Sequence, residues 1–222
     1  LLTIGNLFCG CLAINFIFLG KTEWVLAMTG LSLLLDFLDG FVARLLNQPS
    51  SIGKDLDSLA DVVSFGVVPG FMVFFMAGGT SYHPVLTASI GFLIPCFAAL
   101  RLAKFNNDER SSDYFYGLAT PAMTLLVAGF YATLCFNYMG LYGVLSNVIF
   151  CVSLVLVVCF LMISDIKLIS NKIIAKPLAE SWPLWITVIL SIAAILIFKF
   201  LGLALAIVIY FVLSIIANYI VK

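Results

Sequence analysis

An all-α integral membrane protein of about eight transmembrane helices is the fold class that three observations in this sequence predict. Of 222 residues, 64% are hydrophobic and only 10% are charged, and the mean hydropathy is +1.20. A soluble domain carries about 25% charged residues. Apolar runs of about twenty residues recur along the chain, each long enough to cross a bilayer as a helix. The basic residues are also distributed unevenly between alternate connecting segments. This composition leaves room for one membrane domain, with no soluble domain and no nucleic-acid signature.

Taken in order, the apolar runs place spans near 3–20, 24–45, 56–78, 84–104, 118–138, 141–163, 183–199 and 202–221. The sequence opens on Leu1 rather than Met, which implies residues ahead of it. Its first segment lacks a small-residue cleavage site, so a retained helix is expected rather than a signal peptide. Connections on one side are short: Lys21 to Glu23, 79–83, 139–140 and 199–201. Those on the other side are longer and polar, notably 105–117 and 164–182. The last two spans are nearly featureless and read as an accessory hairpin.

Orientation follows from the basic residues. Arg44, Lys54, Arg101, Lys104, Arg110, Lys167, Lys172, Lys176 and Lys222 fall on one side, and only Lys21 and Lys199 on the other. The side richer in Lys and Arg faces the cytoplasm. Both termini are therefore expected there, together with the loop at residues 46–55. Lys167, Lys172 and Lys176 read as contacts to anionic lipid.

Cys9, Cys11, Cys96, Cys135, Cys151 and Cys159 are scattered through apolar spans and read as buried free thiols acting as small hydrophobes. Cys9-x-Cys11 has no second pair to complete a zinc knuckle. His83, beside Pro84 in an outer turn, reads as structural or solvated.

Four aspartates break the apolar pattern. Asp36 and Asp39 lie in Asp36-Phe-Leu-Asp39-Gly40-Phe-Val-Ala43-Arg44, and Asp57 and Asp61 in Gly53-Lys-Asp-Leu-Asp57-Ser-Leu-Ala-Asp61. A mid-membrane aspartate costs about 2.5–3.5 kcal/mol on insertion scales. Offsets of three and four residues put each pair on one face of its own helix. Two such faces brought together concentrate negative charge that cations or protonation must relieve. All-carboxylate oxygen ligands suit hard cations such as magnesium, manganese or calcium. Gly40 and Gly53 remove side chains where a phosphate or nucleotide would approach the backbone. Arg44 offers a guanidinium fork to a carboxylate or phosphate. Together they point to pyrophosphate or phosphodiester chemistry at the membrane surface.

These residues carry a resemblance. Asp36-x2-Asp39-Gly40-x2-Ala43-Arg44-x8-Gly53-x3-Asp57-x3-Asp61 resembles, at each fixed position, the signature of the CDP-alcohol phosphotransferases. The resemblance implies a six-helix core, with the C-terminal hairpin added, and two divalent cations, Mg2+ or Mn2+. Asp36 and Asp57 would bridge the ions, and Asp39 and Asp61 would complete one each. Asp61 would also be the general base on the acceptor hydroxyl. Gly40, Arg44 and Gly53 would border the CDP moiety.

A second stretch is similar to the serine-accepting branch of that family, the integral-membrane phosphatidylserine synthases. Asn6-Leu7-Phe8-Cys9-Gly10 resembles its Asn-Leu-x-x-Gly opening, which adds Asn6 to the residues expected near CDP. Arg101-Leu102-Ala103-Lys104-Phe105-Asn106 resembles an Arg-Leu-Ala-Arg-Phe-Asn block, with Lys104 replacing Arg. Phe115-x-Gly117-Leu118-x-x-Pro121-Ala122 follows, with Ala119 where Pro is often seen. The likeness covers residues 3–165 and thins beyond, which divides the chain into a core, 1–165, and an accessory part, 166–222.

Arg101 and Lys104 are three residues apart at one helical edge. They either hold the serine carboxylate or lipid phosphate, or act as interfacial anchors snorkelling to headgroups. Asn106 offers donors and acceptors to the acceptor.

The activity implied is transfer of a phosphatidyl group from CDP-diacylglycerol to L-serine, with CMP as product, by a homodimer among membrane lipids. Two rivals stand beside it. One is a sister enzyme using glycerol 3-phosphate, inositol phosphate or another alcohol. The other is an ion or proton transporter using the acids as its path; against it, no acidic residue continues the route deep in later spans.

Overall fold

The computed structural model describes residues 1–46, 51–78, 87–107, 115–168 and 178–220. Helix α1 (Leu2–Phe18) turns at Gly20 into α2 (Thr22–Leu46), and the two pack side by side. Helix α3 (Ser51–Val62) runs through a π-helical turn (Val63–Val67) into α4 (Val68–Gly78). A 3₁₀ turn (Ser89–Phe92) leads into α5 (Leu93–Asn106). Then come strand β1 (Phe115–Tyr116), α6 (Thr120–Cys135), α7 (Val148–Ile163), strand β2 (Lys167–Leu168) and α8 (Leu178–Ile220).

The protein is an all-α membrane protein. Among the described residues, Thr22–Val42, Ile52–Gly78, Ser89–Asn106 and Leu184–Ala217 are helical, long and apolar enough to cross a membrane, and three further apolar helices are shorter. The core lies where α4, α6 and α7 meet, around Met72, Val73, Met76, Met123, Val127, Val155, Val158 and Met162. Lipid is as apolar as these side chains, so close packing, more than transfer from water, holds them together.

Several predicted spans shift, for local reasons. The span expected at 141–163 begins as a continuous helix only at Val148. Asn147 caps it there, its side chain accepting from the Ile149 N–H at 2.8 Å. The span expected at 118–138 ends at Cys135, and Asn137 then turns the chain with φ 45°. The two last spans are the arms of α8, which breaks at Lys199 (φ 48°, ψ −115°). The arms fold back on each other: Ser191 Oγ donates to the Ala206 carbonyl at 3.5 Å. The hairpin packs on α6, where a Cβ added to Gly129 would lie 2.6 Å from the Ala204 nitrogen.

The cysteines divide, which corrects their reading as uniformly buried. Cys9, Cys151 and Cys159 are buried, whereas Cys11, Cys96 and Cys135 are on the protein surface, and all six are free. Apolar helix faces turned to lipid expose a thiol as readily as a leucine. His83, Arg110, Lys172, Lys176 and Lys222 lie outside the described residues.

Candidate functional site

One face of α1 organises the site. Thr3, Asn6 and Gly10 recur at helical spacing and are all buried. A Cβ on Gly10 would sit 3.0 Å from the Ser64 Cα, so a glycine here lets α1 press against the π-helical turn. That contact brings Asn6, one turn earlier, against Asp61.

Asn6 is fully buried and tied on three sides. Its Nδ2 donates to Asp61 Oδ1 at 3.2 Å. Ser32 Oγ donates to its Oδ1 at 2.5 Å, and Ser64 Oγ to its carbonyl at 3.1 Å. Because Ser32 occupies the amide oxygen, the amide nitrogen is the end presented to Asp61. Four residues after Ser32 on the same helix comes Asp36, so one face of α2 supplies both groups.

Three of the four aspartates converge. One carboxylate oxygen from each of Asp36, Asp57 and Asp61 lies within 4.8 Å of the others, and Asp61 is buried while the other two are half-buried. Asp36 and Asp61 are within hydrogen-bonding reach of each other. Asp39 is not one of the three. It accepts a hydrogen bond from Thr3 Oγ1 and stands close enough to Asp36 and Asp57 to repel them. The π-helical turn begins two residues after Asp61, and such turns inside α-helices are frequent at functional sites.

The remaining predicted residues separate into groups. Gly40 is exposed with open space around it, and Gly53 sits in the first turn of α3. Arg44 belongs to α2, and its side chain lies outside what is described. Arg101 is 8% exposed and faces Asp61 electrostatically. Lys104, one turn on, leaves that direction: its Nζ pairs with Asp165 Oδ1 at 2.9 Å and donates to the Ile163 carbonyl at 3.2 Å. Asn106 ties α5 to α3, its Nδ2 donating to Ser58 Oγ at 2.7 Å and its carbonyl accepting from Lys54 Nζ at 2.8 Å.

Sequence reasoning passed over Thr3, Ser32 and Ser64. A signal for them existed: Ser32 precedes Asp36 by four residues, Ser64 follows Asp61 by three, and Thr3 precedes Asn6 by three. Each is a small polar group one turn from a group that needs a partner.

The donor set is carboxylate oxygen from two helices, a set that suits a hard divalent cation. Asp36, Asp57 and Asp61 are the residues placed to hold one. A model of the CDP-alcohol phosphatidyltransferase family matches residues 1–159, which is most of the chain. The chain belongs to that family. Family members generally use divalent cations, in keeping with the acidic group. Among curated relatives, the CDP-diacylglycerol–serine O-phosphatidyltransferase of Helicobacter pylori (strain J99) is 40% identical over 131 residues, covering 57% of this chain and 54% of that protein. The protein of the same name from Bacillus subtilis is 35% identical over 132 residues, covering 59% of this chain and 73% of its own length. An archaetidylserine synthase of Methanothermobacter thermautotrophicus is 33% identical over 169 residues, covering 75% and 67%. The match thus spans about half the length of the Helicobacter protein.

Proposed function

We propose that this chain transfers a phosphatidyl group from CDP-diacylglycerol, or an ether-linked counterpart, to L-serine and releases CMP. The observation that carries the reading is the convergence of Asp36, Asp57 and Asp61 beside a buried Arg101, in a family of CDP-alcohol phosphatidyltransferases. Relatives named for serine transfer in bacteria and archaea support serine as acceptor.

In this reading the serine hydroxyl oxygen attacks the phosphorus that carries the diacylglycerol. A new P–O bond forms there, the pyrophosphate P–O bond breaks, and CMP leaves with its electron pair. Asp61 takes the hydroxyl proton through the oxygen that Asn6 does not occupy. Asp36 and Asp57, with Asp61 and Asp39, hold two Mg2+ or Mn2+ ions, which when bound neutralise charge on the pyrophosphate. Gly40, Gly53 and Arg44 border the CDP group. Residues 1–165 form the catalytic core, 166–222 an accessory part, the site and both termini face the cytoplasm, and the protein works as a homodimer.

The test is CMP release by the purified full chain from CDP-diacylglycerol with Mg2+ or Mn2+, offering L-serine, glycerol 3-phosphate and inositol phosphate in parallel. Chelator-sensitive release with serine alone is expected. Release with another acceptor overturns the substrate assignment, and no release with any acceptor, in folded protein, reopens the transporter reading.

A further inference from the structure

Among the described residues, two buried side-chain polar atoms have no hydrogen-bond partner: Arg101 Nε and Thr120 Oγ1. Their residues are 8% and 1% exposed. Native proteins rarely leave such groups unpaired, and those that remain call for a ligand, strain or a catalytic reason.

The two come from different helices, and the contacts around the π-helical turn set both at one level of the bundle. The π-helical turn is gripped from both sides. A Cβ on Gly66 would lie 3.2 Å from the Ala98 Cβ of α5, and Thr124 Oγ1 of α6 donates to the Phe65 carbonyl at 3.2 Å. One turn from that level, toward the same end of the bundle, Phe65 gives way to Asp61, Ala98 to Arg101 on the antiparallel α5, and Thr124 to Thr120. Within α6, the Thr124 hydroxyl shares its proton with the Thr120 carbonyl, one turn back, at 2.9 Å. Arg101 faces Asp61 electrostatically, as the same register requires.

Thr120 is also the first residue of α6, a sixteen-residue helix whose cap residue, Ala119, makes no side-chain cap bond. A helix N-terminus carries partial positive charge and favours an anion. Its position is set by a clasp. The Gly117 and Leu118 N–H groups donate to the Ile166 and Leu161 carbonyls, each at 2.9 Å. Gly117 holds φ +69°, and a Cβ there would come within 2.8 Å of the Met162 and Ser164 carbonyls. The clasp thus fixes this end of α6 against the end of α7, where Lys104 of α5 also reaches the Ile163 carbonyl.

A permanent cation, a hydroxyl donor and a helix N-terminus at one level describe a small-anion seat, and Asp61 next to it is the proposed base for a hydroxyl. One acceptor carries both groups a short distance apart: a hydroxy amino acid, with its carboxylate in the seat and its hydroxyl at Asp61. We infer that Thr120, together with Arg101, holds the α-carboxylate of the acceptor, making Thr120 a specificity residue. This rests on the serine-transfer reading above.

The experiment uses the full chain with Thr120→Val, which removes the hydroxyl and keeps the volume, and Thr120→Ser, which keeps the hydroxyl. Steady-state CMP release is measured against both substrates, with thermal unfolding of each variant alongside. Thr120→Val should raise the KM for L-serine by about 10- to 100-fold, as loss of a hydrogen bond to a charged group does. The KM for CDP-diacylglycerol should hold, and Thr120→Ser should restore most of the serine affinity. An unchanged serine KM in a stably folded Thr120→Val protein overturns this inference while leaving serine transfer intact. A rise confined to the lipid KM assigns the seat to the donor phosphate and also overturns it. If the wild type makes no CMP with serine, both this inference and its parent fall together.

Discussion

Asn6 is where a single substitution should report most directly on how the site is built. It bridges three helices, giving its amide nitrogen to Asp61 on α3 and its amide oxygen to Ser32 on α2, from a fully buried position on α1. Asn6→Leu keeps a similar volume and removes both bonds, so the surrounding packing is preserved. The bond to the carboxylate is worth about 1.5–3 kcal/mol and the neutral bond from Ser32 about 1 kcal/mol. Their sum is roughly 2.5–4 kcal/mol; the carboxylate bond bears most on turnover because it aims Asp61, and the Ser32 bond bears on it less, by orienting the Asn6 amide. At 1.36 kcal/mol per tenfold in rate, losing that bond in the transition state lowers kcat/KM by about 10- to 150-fold. Ser32→Ala removes only the neutral bond and should lower kcat/KM by about fivefold, by the same arithmetic. The assay is CMP release by purified protein, with thermal unfolding in the same detergent as a check on folding. Wild-type kcat/KM in a folded Asn6→Leu protein would refute the idea that Asn6 positions the base. So would a larger loss from Ser32→Ala than from Asn6→Leu.

Three further outcomes follow from the geometry. Asp57→Asn removes one of the three converging carboxylates and should lower turnover by at least about 10³-fold, while the protein still inserts into membranes; activity assays on membrane fractions check both. Gly10→Ala would push a methyl group into Ser64 and should destabilise the protein by about 1–3 kcal/mol, read as a lower Tm, with activity falling as Asn6 is displaced. Lys104→Ala breaks a half-exposed ion pair with Asp165, worth at most about 1 kcal/mol, so Tm should barely move. A large loss of serine affinity in Lys104→Ala would place that lysine in the acceptor site instead of at the α7 end.

Much of this was legible in the sequence because helical spacing is a short-range code. Offsets of three and four residues gave the aspartate faces, and the short connection at 199–201 between two apolar runs marked the break at Lys199 that folds α8 into a hairpin. What escaped depends on contacts between helices. Nothing in Asn-Leu-x-x-Gly says that the asparagine faces a carboxylate 55 residues away, or that Gly10 exists for Ser64. Arg101 and Lys104 share an edge by spacing, yet Lys104 is drawn off by Asp165, 61 residues along the chain. Asp39 fits the same motif as its neighbours, and nothing in that motif shows that Thr3 on another helix donates to its carboxylate. A serine in an apolar helix ordinarily bonds its own backbone one turn back. Ser32 and Ser64 therefore drew no notice until the structure showed both turned to Asn6.

The most direct test of the central reading is incorporation of radiolabelled L-serine into chloroform-soluble lipid by the purified full chain. The reaction would hold CDP-diacylglycerol and Mn2+ or Mg2+, with the wild type and Asp57→Asn run together. Label entering lipid with the wild type, in step with CMP release and lost on chelation or in Asp57→Asn, is the predicted result. Label entering lipid at equal rates in both proteins, or CMP release with no label in lipid, would contradict it.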